Sequence, residues 1–400
     1  MNKNLDKLKD LPRCFTNIWH ILKELEVGKL EITLNDGRVF QIEGKNPGPS
    51  ADIEIINPDF FSRLVREGEN GFSESYMDGW WRTKDLIALL DVILHNNDTF
   101  GSNLPGASIF RLYERLMHWV RSNNKTQAKR NIAYHYDLGN DFYQKWLDET
   151  MTYSSAFFET GKESLAQAQS KKYRLICDSL GLKRGHRVLE IGCGWGGFAE
   201  YAIKNYGVKL TGLTISKAQH EFSKKRLFQA GVSEQAEIVL RDYRDEKGSY
   251  DAIASIEMFE AVGERYWPFY FRTVRDRLKS GSRATLQIIT IADELFPEYR
   301  KKVDFIQKYI FPGGMLPSKN ALKDQIEKTG LIISKSYEFG ESYSKTLRLW
   351  HGQFNAVWSE ISQLGFDDRF KRMWNFYFAS CAAVFRSGTG DVTQVTLTKS

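Results

Sequence analysis

The chain has 400 residues, 42% apolar, 14% aromatic and 26% charged, which excludes a disordered, collagenous or disulfide-knit polypeptide and leaves material for one large core or two unequal ones. Lys and Arg number 56 against 50 Asp and Glu, a formal charge of +6. That excess suits an anionic surface such as phospholipid headgroups, but it is slight and lacks the basic stripe interleaved with aromatics that nucleic acid requires.

No apolar run approaches the ~20 residues of a membrane span, and residues 1–10 are charged rather than signal-like. The expectation is a cytoplasmic protein that meets membranes peripherally. Cys14, Cys177, Cys193 and Cys381 are too scattered for a zinc site or a disulfide framework. Phe15, Ile18, Leu22 and Leu25 repeat at helical spacing, with Gly28 as the stop. Leu30, Ile32 and Leu34 then alternate into Asn35-Asp36-Gly37, and 39–42 resumes an extended pattern, a hairpin signal. Helices are predicted over 58–67, 85–94 and 107–121, the last with Ile109, Leu112, Tyr113, Leu116 and Val120 on one face.

The polar, basic stretch 122–130 has no periodicity and marks a division near residue 125, giving an α+β unit over 1–125 and a second domain over 126–400. Its charges read as a solvated linker or as a headgroup contact. Beyond it, strand patterns at 187–191, 209–213, 237–240, 251–256 and 284–291 alternate with helical stretches starting at Phe198 and Lys217. This alternation implies a parallel sheet covered on both faces, with ligands at the carboxyl ends of its strands.

After the first of these strands, Gly192, Gly194 and Gly197 satisfy G-x-G-x-x-G and run into a helix, the order that brings backbone close to a nucleotide-bearing ligand. The next strand ends Leu213-Thr214-Ile215-Ser216, without the acid that a dinucleotide ribose needs. Glu190, just before the glycines, suits a zwitterionic amino acid tail better than a pyrophosphate, which points to S-adenosylmethionine. A glycine turn used only for packing is the alternative.

The run Tyr134 to Tyr143, Met151-Thr152-Tyr153-Ser154-Ser155, the segment 188–197, Leu213 to Gln219 and Glu257-Met258-Phe259-Glu260 together resemble the cyclopropane fatty acid synthases. That family includes the mycolic acid cyclopropane synthases and related lipid methyltransferases. The likeness covers the second domain and, more loosely, the first, where Met77 to Trp81 resembles the family's lipid-binding domain. It implies a class I methyltransferase, a Rossmann-like doubly wound α/β sheet preceded by a smaller α+β amino-terminal domain, and often a homodimer. By position, Tyr153 and Ser154 would contact the methionine part of S-adenosylmethionine, and Gly192 and Gly194 would line the turn. Thr214 and Gln219 would face its ribose and methionine end, and Asp242 and Tyr243 its adenine. For Asp242 alone, a helix cap is an equal reading.

An isolated alkene is a feeble nucleophile, so transfer from a sulfonium needs alignment and a dry pocket. The resulting carbocation closes a ring if a proton leaves the new methyl, and gives a branched product if one leaves the chain. In the family, the base is a bicarbonate held by a cysteine, a glutamate, a histidine and a tyrosine. These positions fall here on Ser155, Glu260, Ile289 and Tyr343, so two of the four side chains differ and the bicarbonate site carries over only in part. The change points toward a C-methylating relative without removing ring formation. Glu257 adds a carboxylate where many relatives have a small residue. On a helix it would share a face with Glu260, where like charges raise one pKa; it serves as a direct base, or it pairs with a basic neighbour or caps the strand end.

The apolar segment 304–317 would cover the acyl chain, with Phe305, Tyr309 and Phe311 as wall residues or as core. His135 and His351 read as structural, and no metal site is expected. The reading is one-carbon transfer to the double bond of an unsaturated phospholipid acyl chain, as ring methylene or methyl branch. Its rivals are a small-molecule methyltransferase and a non-catalytic lipid-binding relative.

Overall fold

In the computed structural model, residues 10–101 and 138–399 are described. The predicted helix over 107–121, the basic stretch 122–130, the division near 125, and Tyr134 to Asp137 with His135 lie outside the described residues.

The chain opens with α1 (Phe15–Leu22), β1 (Val27–Thr33), β2 (Val39–Glu43) and β3 (Asn46–Ile55), followed by α2 (Phe60–Met77), β4 (Trp81–Arg82), α3 (Leu86–His95) and α4 (Asn97–Gly101). The hairpin forms as its turn residues require, with Ile32 opposite Phe40. Gly28 is not a helix stop. It lies inside β1 at φ 87°, where a Cβ would sit 2.3 Å from the Pro49 carbonyl oxygen of the parallel β3. The sheet order is β2-β1-β3-β4. The helix predicted to end at 67 continues to Met77 across a kink at Gly68.

The rest contains α5 (Asn140–Trp146), α6 (Leu165–Leu180), β5 (Arg187–Ile191), α7 (Gly197–Tyr206), β6 (Lys209–Thr214), α8 (Lys217–Gln229), β7 (Ala236–Leu240), β8 (Tyr250–Ile256), α9 (Trp267–Arg277), β9 (Leu278–Ile291), α10 (Phe296–Tyr299) and α11 (Lys319–Glu327). It ends with β10 (Leu331–Glu338), α12 (Gly340–Ala356), α13 (Trp358–Ser362), α14 (Asp368–Arg386) and β11 (Gly390–Lys399). Helix α6 starts on a Ser164–Gln167 capping box and stops at Gly181, which adopts φ 62°.

The sheet order is β10-β11-β9-β8-β5-β6-β7. The expected parallel sheet is present in five strands, β9-β8-β5-β6-β7. It is corrected at one side, where β11 runs antiparallel between β9 and β10. Strand order reverses at β5, so the crevice for a ligand opens at that strand's carboxyl end.

Helix α14 joins the two sheets. Arg386 pairs with Asp91 at 2.7 Å, Arg369 with Asp78 at 3.0 Å, and Arg372 donates to the Met77 carbonyl. The Phe376 ring packs on Phe72 and Tyr76 of α2. Among the described residues no helix is long and apolar enough to cross a membrane.

Candidate active site

Glycine conformation shapes the turn after β5. Gly192 has φ 84°, and a Cβ there would meet Met258 Cγ at 2.7 Å. Its N–H and that of Cys193 donate to the Leu213 carbonyl at 3.0 and 2.9 Å, which pins the turn to the end of β6. Gly194 is also left-handed at φ 52°, and Gly197 lies where a Cβ would come 2.7 Å from the Tyr173 hydroxyl. Only glycine fits such positions without strain. Asn140 accepts from the Trp195 indole at 2.8 Å and braces the turn from α5.

A cavity of about 430 Å³ lies over this turn. Tyr153, Ser154, Glu190, Gly192, Gly194, Thr214, Gln219, Asp242 and Tyr243 all line it, so the structure gathers every residue predicted for the cofactor. Glu190 is buried, and its Oε2 has no hydrogen-bond partner among the described residues. Burial raises its carboxyl well above the usual range. Thr214 donates to Gln219 Oε1 at 2.9 Å, and Ser216 caps α8. Asp242 accepts from the Arg244 backbone N–H and, through both oxygens, from its guanidinium at 2.8 and 2.6 Å. It therefore caps a short helical turn while still facing the cavity.

Two further carboxyls line the same cavity. The segment carrying them is not one helix: Glu257 has φ 49°, and a single 3-10 turn starts at Phe259. The shared helical face expected of Glu257 and Glu260 is absent. Glu257 Oε1 accepts from the Ser155 N–H at 2.8 Å and from the Gln287 amide at 2.7 Å. Burial pushes its carboxyl up; the Lys172 ammonium, the Gln287 and Ser155 donors and the Tyr343 hydroxyl pull it down. Glu260 Oε1 accepts from the Ile289 N–H at 2.5 Å, and Oε2 has no partner among the described residues. Burial, aided by the Glu257 charge, pushes its carboxyl up to about 8. Lys172 is fully buried and donates to Ser154 Oγ at 2.7 Å; burial lowers its pKa.

Two predicted residues are placed elsewhere. The Ser155 hydroxyl donates to the Ala156 carbonyl at 3.0 Å, and Ser155 does not line the cavity, so its backbone rather than its side chain faces Glu257. Tyr309 lies on a π-helical turn over 306–310 and donates outward to Glu74 at 2.8 Å. Phe305 and Phe311 do line the cavity. The apolar end is completed by Met315, from the predicted 304–317 cover, and by residues sequence reasoning missed, among them Phe376, Tyr377 and Cys381; the Tyr153 hydroxyl donates to Tyr377 at 2.8 Å.

A sheet of this order, with a glycine turn after β5 and a cavity at the strand reversal, defines a class I methyltransferase. The family model for mycolic acid cyclopropane synthetase matches residues 123–395. The chain is 39% identical over 363 residues to the tuberculostearic acid methyltransferase UfaA1 of Mycobacterium tuberculosis, covering 86% of this chain and 82% of the relative. It is 36% identical over 369 residues to the cyclopropane-fatty-acyl-phospholipid synthase of Escherichia coli K12, covering 88% and 89%. The crystal structure of mycolic acid cyclopropane synthase CmaA1 complexed with SAH and CTAB aligns with a TM-score of 0.64 at 31% identity, covering 68% of this chain and 98% of that one. The chain belongs to the mycolic acid cyclopropane synthetase family and is an S-adenosylmethionine-dependent methyltransferase.

Proposed function

We propose that the protein adds a one-carbon unit to the double bond of an unsaturated acyl chain in a membrane phospholipid. The observation that carries this reading is the continuity of the cavity, from the glycine turn and Glu190 at one end to Phe305, Phe311, Tyr377 and Cys381 at the other. A polar cofactor seat that opens into an apolar slot suits a hydrocarbon acceptor.

The residues present fit the cofactor. The unpaired Glu190 oxygen suits its ammonium group, while Gly192 and Gly194 leave backbone bare beside it. In this reading Tyr153, Ser154, Thr214 and Gln219 hold the methionine and ribose, and Asp242 with Tyr243 borders the adenine. When bound, S-adenosylmethionine supplies an electrophilic methyl group. The chain's own task is to align the alkene, exclude water, and take up the proton that a methylated acyl cation loses. Aromatic faces at Phe311 and Tyr377 steady that cation.

The product is a ring methylene or a branched alkene. Two observations favour the branched product: Ile289 stands where the family's anion site has a histidine, and the likeness to a tuberculostearic acid methyltransferase is the higher of the two identities. The amino-terminal unit and the positive charge excess support peripheral contact with an anionic bilayer. Mass spectrometry of lipids from cells expressing the chain is the test. A gain of one methylene on unsaturated chains is expected, and derivatising the double bond separates ring from branch. Unchanged lipids, with binding of S-adenosylmethionine intact by calorimetry, would favour a small-molecule acceptor or a non-catalytic role.

A further inference from the structure

The carboxylate of Glu257 is held more firmly than a strand-end residue needs. It follows β8 in the left-handed region at φ 49°, a conformation that non-glycine residues keep only when the surroundings impose it. The Ser155 N–H and the Gln287 amide nitrogen both donate to it, and the Tyr343 hydroxyl lowers its pKa from nearby. Gln287 is itself fixed: its Oε1 accepts from Gln394 of β11 at 3.0 Å, and its amide nitrogen also donates to the Ser155 carbonyl at 3.3 Å. The Gln394 contact thus sets which end of the Gln287 amide faces Glu257. Lys172, buried on α6, contributes a nearby positive charge. Glu260 is arranged differently, with one oxygen on the Ile289 N–H and the other unpaired among the described residues.

Resting on the lipid reading above, we propose that Glu257 is the proton acceptor of the reaction, and that Gln287 and Gln394 are positioning residues that aim its carboxylate. A C–H bond of the methylated acyl cation breaks toward Glu257, whose oxygen takes the proton. The electron pair left behind closes the ring when the hydrogen comes from the new methyl, or forms a carbon–carbon double bond when it comes from the chain. No separate bound anion takes part. Burial raises the Glu257 carboxyl, and the Lys172 charge, the Gln287 and Ser155 donors and the Tyr343 hydroxyl offset part of that rise; Glu260, without those partners and facing Glu257, is pushed up to about 8 and keeps its proton near neutrality.

The test uses the full chain, S-adenosylmethionine and vesicles of dioleoyl phosphatidylglycerol. Glu257→Gln is expected to lose about 100-fold or more in turnover with S-adenosylmethionine affinity unchanged by calorimetry. Glu257→Gly relieves the left-handed backbone and leaves the Ser155 and Gln287 donors facing an empty space, so formate or bicarbonate is expected to restore its turnover. Gln394→Leu is expected to lower kcat about tenfold at unchanged KM and to shift the acidic limb of the kcat–pH profile upward, because Glu257 loses an oriented donor. The groups facing that carboxylate, Lys172 on α6, Glu260 in the turn after β8, Tyr343 on α12 and Tyr377 on α14, are intact in this variant. Wild-type turnover retained in Glu257→Gln overturns the assignment and moves the base elsewhere. So does Glu257→Gly that binds S-adenosylmethionine but is not rescued. An unshifted pH profile in Gln394→Leu overturns the positioning role. A wild-type chain that modifies no lipid overturns the lipid reading, and this inference with it.

Discussion

At the glycine-turn end of the cavity, the wall comes from short segments that each follow a strand: Glu190 to Gly194 after β5, Thr214 to Gln219 after β6, and Asp242 with Tyr243 after β7. At the apolar end the wall is gathered from the 304–316 segment and from α12 and α14, far apart in sequence. A phosphate- or amino-acid-binding turn needs particular backbone at particular spacing, whereas a hydrocarbon slot needs only apolar surface of the right shape. The first kind of site is therefore written locally and the second is not.

That contrast can be broken at either end. Gly192→Ala places a Cβ 2.7 Å from Met258 Cγ at φ 84°. A strain of about 2 kcal/mol corresponds to roughly 30-fold weaker S-adenosylmethionine binding, which calorimetry reads; binding within about threefold would show that the turn does not hold the cofactor. Cys381→Trp should do the converse. Filling the apolar end is expected to lower lipid conversion about tenfold, at an overpacking cost of about 1–3 kcal/mol, while cofactor affinity stays level.

A smaller effect concerns pH. Glu260 titrates at about 8 in the folded chain against 4.5 unfolded, raised first by burial and then by Glu257. The folded state thus binds the proton more tightly, so this contribution to stability is complete below 4.5 and lost as pH rises through about 8. Glu260→Gln cannot lose it, and its melting temperature relative to wild type should climb across that window. A constant difference in thermal melts would refute the assignment. The smallest effect is expected for Tyr309→Phe. Its hydroxyl contacts Glu74 outside the cavity, so turnover should stay within about twofold, with a stability loss of about 1 kcal/mol in denaturant titration. A large loss of turnover would put Tyr309 back in the substrate wall.

The parallel strands and the glycine turn were legible because each carries a local signal: an apolar run, then glycines, then a helical repeat. Strand β3 was not, since Pro47, Gly48 and Pro49 carry no alternating pattern, while the structure uses them at the start of the strand, where β1 approaches closely. The antiparallel β11 is Thr-rich and follows a helix with no turn signal typical of a hairpin. At the site, Ser155 was read for its side chain, but a backbone N–H does not depend on residue type and leaves no mark in sequence. Gln287 and Gln394 were invisible for a related reason: two glutamines in separate strands acquire meaning only when β9 and β11 pair. Tyr377 and Cys381 lie on an amphipathic helix whose cavity-lining face cannot be told from core by periodicity.

Phe376 lines the cavity on one side and rests against Phe72 and Tyr76 on the other. The smaller sheet's helix is thus a party wall of the reaction chamber. Under the proposed reaction, severing it would let solvent in from the flank, and a cation formed beside it would be captured as an alcohol before any base could reach it.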